Sequence, residues 1–564
     1  MKLRRRASVA LVLGISWLCG PLEAQVPGVP QDRPSERPLP LPKVEPERPA
    51  PKIELPPLEF GPDEKQPLPG LRVRVTEFRF VGNTVFTAEE LASIAAPYRG
   101  RDIGSDDLET IRIALTRHYV ERGFINSGAV LPDQEVSAGV VTFQIIEGRL
   151  TGIEVKGNRR LRESYIRERV ALAAGPPMNV YAIRDRLFLL QQDPRIQRLD
   201  AALLPGTRPG EATLRVDVDE APSRRAYLTF NNHRPPSVGA ERGEVELLDY
   251  NLLGFGDSLA LRGGLTQGSK DVDLTYAIPL NARDTALQFR YAQTSSTVVE
   301  PPFDQIDVKN NSQTAGVGVW HYPHKTPQEE VGLGLTFEQR QNRSYLLGEP
   351  FAFSPGTPPD GRVRLSVLRF AQSWLKHDPE SVFAARSTFS AGFDAFNATV
   401  NTGSEPDARF LAWLGQLQWV ERLFARRDEL VIRADAQLAN DPLLSLEQFS
   451  VGGANSVRGY RENQLVRDNG LFTSIEYRLT VWSDPGRGHR VQLAGFYDSG
   501  RSWSRERPTP EPEVLASVGV GLRATYYPWL DFELYYGRRL KDIGNTGNDL
   551  QDRGIHFQLR ARVW

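Results

Sequence analysis

From residue 222 onward, apolar and polar residues alternate in one short segment after another. In residues 471–482, for example, Leu471, Ile475 and Tyr477 fall on one face, and Glu476 and Arg478 fall on the other. Such alternation predicts a β-strand with one apolar and one polar face, because successive side chains of a strand point in opposite directions. About sixteen segments of this kind follow one another, separated by turns rich in Gly, Asn, Asp and Pro.

Two architectures are built from strands of this kind. A soluble sandwich hides its apolar faces between two sheets, whereas a membrane barrel turns them toward lipid and lines a wet lumen with its polar faces. Charged residues recur on the polar faces, and aromatic residues near strand ends suit the girdles of a membrane barrel: Trp413, Trp419, Trp482, Tyr526, Trp529 and Tyr536. We therefore predict an antiparallel transmembrane barrel over residues 222–564, and about sixteen strands leave an aqueous channel.

Residues 71–221 follow a different pattern, with helical periodicity between short strands. A β-α-α-β-β order occurs twice, and the pairs Gly82-Asn83 and Gly157-Asn158 lie 75 residues apart. Thr87, Ser105 and Asn179 are expected to cap helices. A unit repeated at this period predicts two small α+β domains, residues 71–149 and 150–221.

The chain begins with the pattern of a secretory signal. Basic residues precede the short apolar run 9–18, and Leu22-Glu23-Ala24 is a suitable cleavage site. Residues 1–24 are therefore expected to be a signal peptide. Residues 25–70 are dense in proline, which predicts an extended linker.

The composition of the chain argues against several kinds of binding site and catalytic site. The formal net charge of the 564 residues is -1, so no basic excess suggests nucleic acid. The one cysteine, Cys19, lies in the signal peptide, and the mature chain then has no disulfide, zinc thiolate or cysteine nucleophile. The best metal candidates, His321 and His324, are three positions apart and fall on opposite faces of a strand. We expect no enzyme activity, no metal and no cofactor.

The segment Gly452-Gly453-Ala454-Asn455-Ser456-Val457-Arg458-Gly459-Tyr460 contains three glycines, an arginine and an aromatic residue between predicted strands. Glycines at this density permit the positive φ angles of tight turns. A surface hairpin with an incidental arginine is one interpretation. The other is a loop whose arginine has a specific partner.

Several motifs along the mature chain resemble those of the TpsB family of two-partner (type Vb) secretion transporters, also called the ShlB/FhaC/HecB family. They are Tyr119 to Phe124, Leu131 to Gln134, Glu147 to Leu150, Asp193 to Ile196, Leu204 to Gly206, Pro209-Gly210, Asn251 to Asp257, Phe449 to Gly453, Val457 to Tyr460 and Phe496 to Gly500. The resemblance implies two polypeptide-transport-associated (POTRA) domains followed by a sixteen-stranded outer-membrane barrel.

The resemblance also implies which residues form the site. The loop around residues 450–465 is expected to fold into the barrel and carries Gly452, Gly453, Val457, Arg458, Gly459 and Tyr460. Its arginine is expected to pair with Asp498 in a strand motif that also contains Phe496 and Gly500. A signal for barrel assembly is expected at Phe557, Leu559 and Trp564, although the family usually ends in Phe.

The implied function is recognition of a partner exoprotein in the periplasm and its translocation, unfolded and without nucleotide hydrolysis, to the cell surface. The expected partners are a TpsA-like, β-helical exoprotein, outer-membrane lipid and the barrel-assembly machinery. An insertase for outer-membrane proteins and a passive porin remain alternatives. Many family members begin with a helix that plugs the pore, but the prolines of residues 26–70 disfavour a helix. This segment is expected either to occupy the lumen in extended form or to hang outside it.

Overall fold

The computed structural model describes most of the chain from residue 72 onward and three short stretches before it. The described residues are 31–37, 39–40, 52–55, 72–136, 138–423, 428–544 and 547–564. The predicted signal peptide lies outside the described residues, as does most of the proline-rich segment. Within that segment, strand β1 (Lys52–Glu54) is described.

The first repeat is a small α+β unit in which two helices cover a sheet. Its elements are β2 (Val73–Arg74), β3 (Glu77–Val81), α1 (Ala88–Ala95), β4 (Asp102–Ile103), α2 (Ser105–Glu121), β5 (Gly128–Val130) and β6 (Val140–Ile146). The main sheet has the order β3-β6-β5, and β2 pairs with β4. Leu91, Leu115 and Phe143 are fully buried between helices and sheet, which gives this repeat a core of its own.

The second repeat has the same construction and an added edge strand. Its elements are β7 (Arg149–Lys156), α3 (Glu163–Ala171), α4 (Val180–Gln192), β8 (Ile196–Pro205) and β9 (Glu211–Glu220). The sheet order is β1-β8-β9-β7. Strand β1 runs parallel to β8 and pairs Ile53 with Ala201. The proline-rich segment thus supplies a strand, which the sequence did not predict.

The repeated Gly-Asn pair forms the same tight turn in both units. Gly82 and Gly157 have φ angles of 91° and 86°, in the left-handed region. A Cβ atom at Gly82 would lie 2.5 Å from the carbonyl oxygen of Ile145, and one at Gly157 would lie 2.4 Å from that of Val218. Glycine is therefore required at both positions for two independent reasons.

A glutamate at the end of each repeat binds the turn that follows the Gly-Asn pair. Glu147 accepts hydrogen bonds from the backbone N–H groups of Thr84 at 2.7 Å and Val85 at 2.9 Å, and from the Tyr119 hydroxyl at 3.0 Å. Glu220 accepts three backbone N–H groups of residues 159–161 in the same way. Burial acts to raise the pKa of Glu147, but these hydrogen bonds outweigh it and lower that pKa.

The helix caps are partly as predicted. The Thr87 hydroxyl accepts the Glu90 N–H at 3.2 Å, and the Asn179 side chain accepts the Tyr181 N–H at 2.9 Å. The predicted cap at Ser105 is wrong, because Ser105 is already helical and Gly104 holds the cap position. None of the helices in the described ranges is long and apolar enough to cross a membrane.

Sixteen antiparallel strands, β10–β16, β18–β21 and β24–β28, close into a barrel, and β17, β22 and β23 are short additions. They are β10 (Arg224–Asn231), β11 (Arg242–Asp249), β12 (Ser258–Leu265), β13 (Ser269–Pro279), β14 (Ala286–Thr297), β15 (Lys309–Lys325), β16 (Glu329–Leu346), β17 (Glu349–Pro350), β18 (Arg362–His377), β19 (Ser381–Phe393), β20 (Phe410–Leu423), β21 (Asp428–Ala439), β22 (Phe449–Val451), β23 (Leu465–Arg467), β24 (Asn469–Asp484), β25 (His489–Trp503), β26 (Val514–Tyr526), β27 (Leu530–Arg539) and β28 (Ile555–Arg562). The closed sheet confirms the predicted barrel and excludes the sandwich.

The barrel strands are apolar outside and polar inside. On β24, Leu471 and Ile475 are 46% and 50% exposed on the outer face, whereas Ser474 and Glu476 are buried inside. This arrangement is the reverse of a soluble core, and it matches the alternation read from the sequence.

The second repeat is docked on the turn between β11 and β12, residues 250–257. The Arg162 N–H donates to the Gly254 carbonyl at 3.0 Å, and its guanidinium lies 3.6 Å from the Phe255 ring centroid. Arg195 donates to the Tyr250 carbonyl at 2.7 Å. The Asn251 to Asp257 motif therefore lies at the end of the barrel that contacts the second repeat.

The carboxylate of Glu147 should make the first repeat sensitive to acid. Because its pKa is lower in the folded state, its contribution is present at neutral pH and is lost as the pH falls below 4.5 through that lower folded value. We expect hydrogen-exchange protection of the Thr84 and Val85 amides to fall over this pH range in the wild type. Glu147→Gln should lose that protection already at pH 7.

The control for this measurement is Glu135→Gln, which changes an exposed carboxylate of the same repeat. It should leave the protection factors of Thr84 and Val85 unchanged at every pH. Equal protection in Glu147→Gln and the wild type at pH 7 would refute the assigned role of Glu147.

Candidate functional site

The loop between β21 and β24, residues 440–468, folds back into the barrel. Its two arms pair as β22 and β23, in antiparallel register from Phe449–Arg467 to Val451–Leu465. The tip begins at Gly452 and Gly453, whose φ angles are 112° and 103°. A Cβ atom at either position would also collide with residues 461–464 of the facing arm. The glycines of the motif are therefore needed for the path of the loop.

Arg458, at the loop tip, is bound to Asp498 of β25. Its Nε and Nη2 atoms donate to the two carboxylate oxygens of Asp498 at 2.8 and 2.9 Å, and its backbone N–H donates to the same carboxylate at 3.1 Å. The contact expected between these two residues is present. Its bidentate geometry is the strong form of an arginine–carboxylate pair.

A second carboxylate, Glu476 of β24, completes the arginine site. Nη1 of Arg458 donates to Glu476, and Nη2 also donates to the Ser474 hydroxyl at 3.2 Å. Sequence alternation had placed Glu476 on the polar face but did not identify it as a partner of Arg458. Strand register decides this, because β24 and β25 pair Ser474 with Asp498 and Glu476 with Phe496.

Aromatic rings close off the sides of the arginine. The Arg458 guanidinium lies 3.6 Å from the Phe496 ring centroid and 4.6 Å from that of Tyr535 on β27. The Tyr535 hydroxyl donates to Glu476 at 3.0 Å. Stacking of this kind strengthens a cation held away from bulk water. It also gives the Phe of the predicted strand motif a direct role in the site.

The site is almost fully shielded from solvent. Arg458 is 2% exposed, Asp498 0% and Glu476 3%. Loss of the arginine would leave two carboxylates buried together, although Arg478 also donates to Glu476 at 2.6 Å. A buried charge without its partner is costly, so the loop position and the charge balance of the lumen depend on each other.

The other predicted loop and strand residues pack around this pair. Val451, Val457 and Tyr460 are fully buried in one apolar cluster. A Cβ atom at Gly500 would lie 2.5 Å from a methyl carbon of Val451 and 3.0 Å from one of Val457, so Gly500 makes room for the loop. The strand motif therefore supplies an aromatic ring beside Arg458, a carboxylate that binds it, and a glycine that leaves space for the loop.

The three residues of the expected assembly signal lie on the last strand and after it. Leu559 and Trp564 are 38% and 66% exposed on the outer surface. Phe557 packs 5.4 Å from the ring of Phe230 on β10. The Trp564 carbonyl accepts the Ala226 N–H at 2.9 Å, so the terminal residue lies against the first barrel strand.

Residues 31–37 and 39–40 of the proline-rich segment lie in the lumen. Asp32 binds Arg290 of β14 at 3.0 Å, Arg37 binds Glu338 of β16 at 2.9 Å, and Gln418 of β20 donates to the Leu39 carbonyl at 2.5 Å. One 3-10 turn, Pro34–Glu36, is the only helical element among these residues. Of the two locations left open by the sequence, residues 31–37 and 39–40 occupy the lumen, whereas residues 52–54 lie at a sheet edge of the second repeat. The lumen residues are not simply extended, since they include the 3-10 turn and Asp32 has a φ angle of 55°.

A second buried ion cluster, which sequence reasoning missed, holds this segment and the base of the loop together. Arg340 of β16 donates to Glu447 of the loop at 2.5 Å and to the Asp32 carbonyl at 2.6 Å. Arg369 of β18 donates to Glu447 at 2.8 Å and to Glu338 at 2.9 Å. The members of this cluster are far apart in sequence, so their pairing cannot be read from it. The alternation of polar and apolar residues could have indicated only that the strand residues face the lumen.

The two candidate metal ligands do not converge. His321 contacts the Thr285 hydroxyl at 2.9 Å, whereas His324 lies 3.7 Å from Glu329. Among the residues that the structure describes, no group of three or more His, Cys, Asp or Glu side chains is placed to hold a metal ion.

Comparisons with known proteins agree with this architecture. The family model described as "Haemolysin secretion/activation protein ShlB/FhaC/HecB" matches residues 210–524, and that of the ShlB-type POTRA domain matches residues 73–148. The outer membrane transporter CdiB of Dickeya dadantii is 21% identical over 472 residues, covering 82% of each chain. The heme/hemopexin transporter protein HuxB of Haemophilus influenzae is 22% identical over 463 residues, covering 78% of each chain.

The fold is also that of solved transporters. CdiB from Escherichia coli superposes with a TM-score of 0.68 at 20% identity, over 90% of this chain and 94% of that chain. CdiB from Acinetobacter baumannii gives a TM-score of 0.60 at 16% identity, over 99% and 98%. The chain therefore belongs to the haemolysin secretion/activation family ShlB/FhaC/HecB, as an outer-membrane transporter of secreted exoproteins whose POTRA domains lie in the periplasm.

Proposed function

We propose that the POTRA domains capture one unfolded, TpsA-like β-helical exoprotein and that the barrel passes it to the cell surface after the loop tip leaves Asp498. The observation that carries this proposal is the buried Arg458 pair, which holds a nine-residue motif across a polar lumen. The proposal assigns no catalytic step or nucleotide to the chain. Folding of the exoprotein outside the cell gives the passage its direction.

The capture site in this proposal is the β5 edge of the first POTRA domain. In the second domain the equivalent strand, β8, is covered by β1 of the same chain. In the first domain β3 and β5 form the two edges of the sheet. Because β5 pairs with β6 as β8 pairs with β9, the β1 strand shows how an extended segment fits beside such a strand. Backbone hydrogen bonds at this edge suit an unfolded client.

The polar lumen suits the passage of an extended chain, but two segments of the transporter fill it at rest. Residues 31–37 and the base of the loop share a partner, since Arg340 binds both the Asp32 carbonyl and Glu447. We propose that both segments move when the client enters. A path lined by charged and amide side chains then offers hydrogen bonds without selecting one sequence.

The outer surface provides for lipid and for assembly. Exposed apolar and aromatic side chains, such as Leu471, Trp482 and Trp529, suit contact with outer-membrane lipid. Phe557, Leu559 and Trp564, on the last strand and at the chain end, are proposed to be read by the barrel-assembly machinery. The Trp564 carbonyl accepts the Ala226 N–H, so the chain end lies beside the first barrel strand.

Loss of the loop arginine should stop export while the barrel still assembles, because the proposed cycle needs the bound position of the loop as well as the released one. Breaking a buried charge pair by removing one partner costs about 3–5 kcal/mol, and here the tip loses both Asp498 and Glu476. We expect Arg458→Ala to reduce secretion about tenfold or more at normal barrel abundance. Arg458→Lys should be intermediate, because an ammonium cannot reproduce the bidentate contact.

The matched control is Arg538→Ala, which removes an exposed arginine on the outer face of β27. It should secrete at the wild-type level. Wild-type export by Arg458→Ala would refute the proposed role. A fall in barrel abundance that accounts for the whole loss of secretion would assign Arg458 to barrel stability instead.

A photo-crosslinking residue should locate the capture edge. Val130 on β5 and Val81 on β3 are 41% and 51% exposed on opposite edges of the same sheet. The client is defined as the exported polypeptide that disappears from the medium when the transporter is deleted. A crosslinker at position 130 should capture this client during secretion, whereas one at position 81 should not. Equal capture at both positions, or capture at 81 alone, would contradict the proposed edge.

A further inference from the structure

The loop tip has a second attachment, to the last hairpin of the barrel. The Gly459 N–H donates to Nε2 of His556 on β28 at 3.1 Å, and Nε of Arg539 on β27 donates to the Gly459 carbonyl at 2.6 Å. The backbone N–H and carbonyl of Gly459 are therefore both hydrogen-bonded to side chains of β27 and β28. Neither contact involves Asp498 or Glu476.

Glycine is required at position 459 by the closeness of this approach. Gly459 has a φ angle of 94°, and a Cβ atom there would lie 2.6 Å from the Gly537 carbonyl oxygen. A Cβ atom at Gly537 would in turn lie 2.7 Å from the Gly459 nitrogen, and one at Gly554 would lie 2.2 Å from the Gly537 oxygen. Three glycines thus allow the loop backbone to rest directly on the hairpin backbone.

The histidine acts as an acceptor in this contact. A backbone N–H donates to Nε2, so that nitrogen must present its lone pair and the ring must be neutral, with its proton on Nδ1. His556 is 1% exposed, which fixes the ring beside the loop. A side chain with an oxygen acceptor at the same reach, such as glutamine, can replace it, whereas a leucine cannot.

The hairpin that receives Gly459 contains the strand that closes the barrel. Strands β10 and β28 pair over five residues each, from Tyr227–Arg562 to Asn231–Gln558. By comparison, β14 and β15 pair over twelve. Among the described residues, the β10–β28 pairing is the shortest between neighbouring strands of the closed barrel.

Side chains extend this short seam toward the loop. The Asn232 amide donates to the Ile555 carbonyl at 2.9 Å and accepts the Phe557 N–H at 2.9 Å, as a further strand residue would. Gln551, from the turn before β28, donates to the Asn232 carbonyl at 2.5 Å. Arg539 also donates to the Gln551 carbonyl at 3.1 Å. Arg539 therefore contacts both the loop tip, at Gly459, and the residue that extends the seam, Gln551.

We propose that His556 and Arg539 are positioning residues that fasten the loop tip to the closing hairpin, so that the loop braces the β10–β28 seam. The tip then bridges two parts of the wall: Arg458 holds it to β24 and β25, and Gly459 holds it to β27 and β28. Departure of the loop loosens the seam as well as opening the lumen. The second consequence rests on the proposed function, but the brace itself does not.

The test is hydrogen exchange of the full-length protein in lipid, followed in peptides that cover residues 227–231 and 557–562. His556→Leu should increase exchange in both peptides about tenfold, because one buried acceptor is lost. His556→Gln should remain near the wild type. Protection of β25 around Asp498 should be unchanged in both variants, since the Arg458 pair stays in place.

Three results would overturn the brace. In the first, His556→Leu leaves hydrogen exchange of the seam peptides unchanged. In the second, His556→Gln raises that exchange as much as His556→Leu does, which indicates that the histidine packs against the loop rather than accepting a hydrogen bond. If His556→Leu fails to assemble, Arg539→Gln takes its place, with Arg538→Gln on the outer face of the same strand as its control. The third contradicting result is that Arg539→Gln and Arg538→Gln show equal hydrogen exchange in the β10–β28 seam. Because exchange is measured without a client, a failure here is distinct from a failure of the proposed transport role.

Discussion

The position of the loop inside the barrel depends on one buried cation. Arg458 is held by both oxygens of Asp498 and by Glu476, between the rings of Phe496 and Tyr535. Away from bulk water such a set is stable only when complete, because each charge is costly without the others. A contact of this kind has two distinct states, bound and released. That property suits a gate better than a graded contact would.

The inside-out polarity of the barrel is what makes this contact possible. Strands with apolar outer faces leave a lumen lined by charged and amide groups, and these groups need partners. The loop and residues 31–37 and 39–40 provide some of them, as when Arg340 binds Glu447 and the Asp32 carbonyl. Part of the lumen lining is thus hydrogen-bonded by the transporter's own chain. We propose that a client entering as an extended chain replaces those hydrogen bonds in kind.

Much of this architecture follows from the sequence. Alternation predicted the barrel, and a family resemblance named Asp498 as the partner of Arg458. Glu476 was missed as a partner because it depends on how β24 and β25 are paired, which no single strand reveals. His556 was missed for a related reason: its partner is a backbone N–H almost a hundred residues away. The prolines before residue 70 predicted no good helix, and the described residues there contain one 3-10 turn. The lumen contacts of Asp32 and Arg37 were not predicted, because they depend on distant strands.

Transport is proposed to require that the loop leaves the barrel wall. A cysteine pair at Val451 and Gly500 tests it, because a Cβ atom at Gly500 would lie 2.5 Å from a Val451 methyl carbon and the native chain has one cysteine, Cys19. The measurement is secretion by Val451→Cys/Gly500→Cys under oxidising and reducing conditions, with each single variant as control. We predict that export stops when the disulfide forms and returns on reduction. Equal export by the oxidised and reduced double variant would contradict the account.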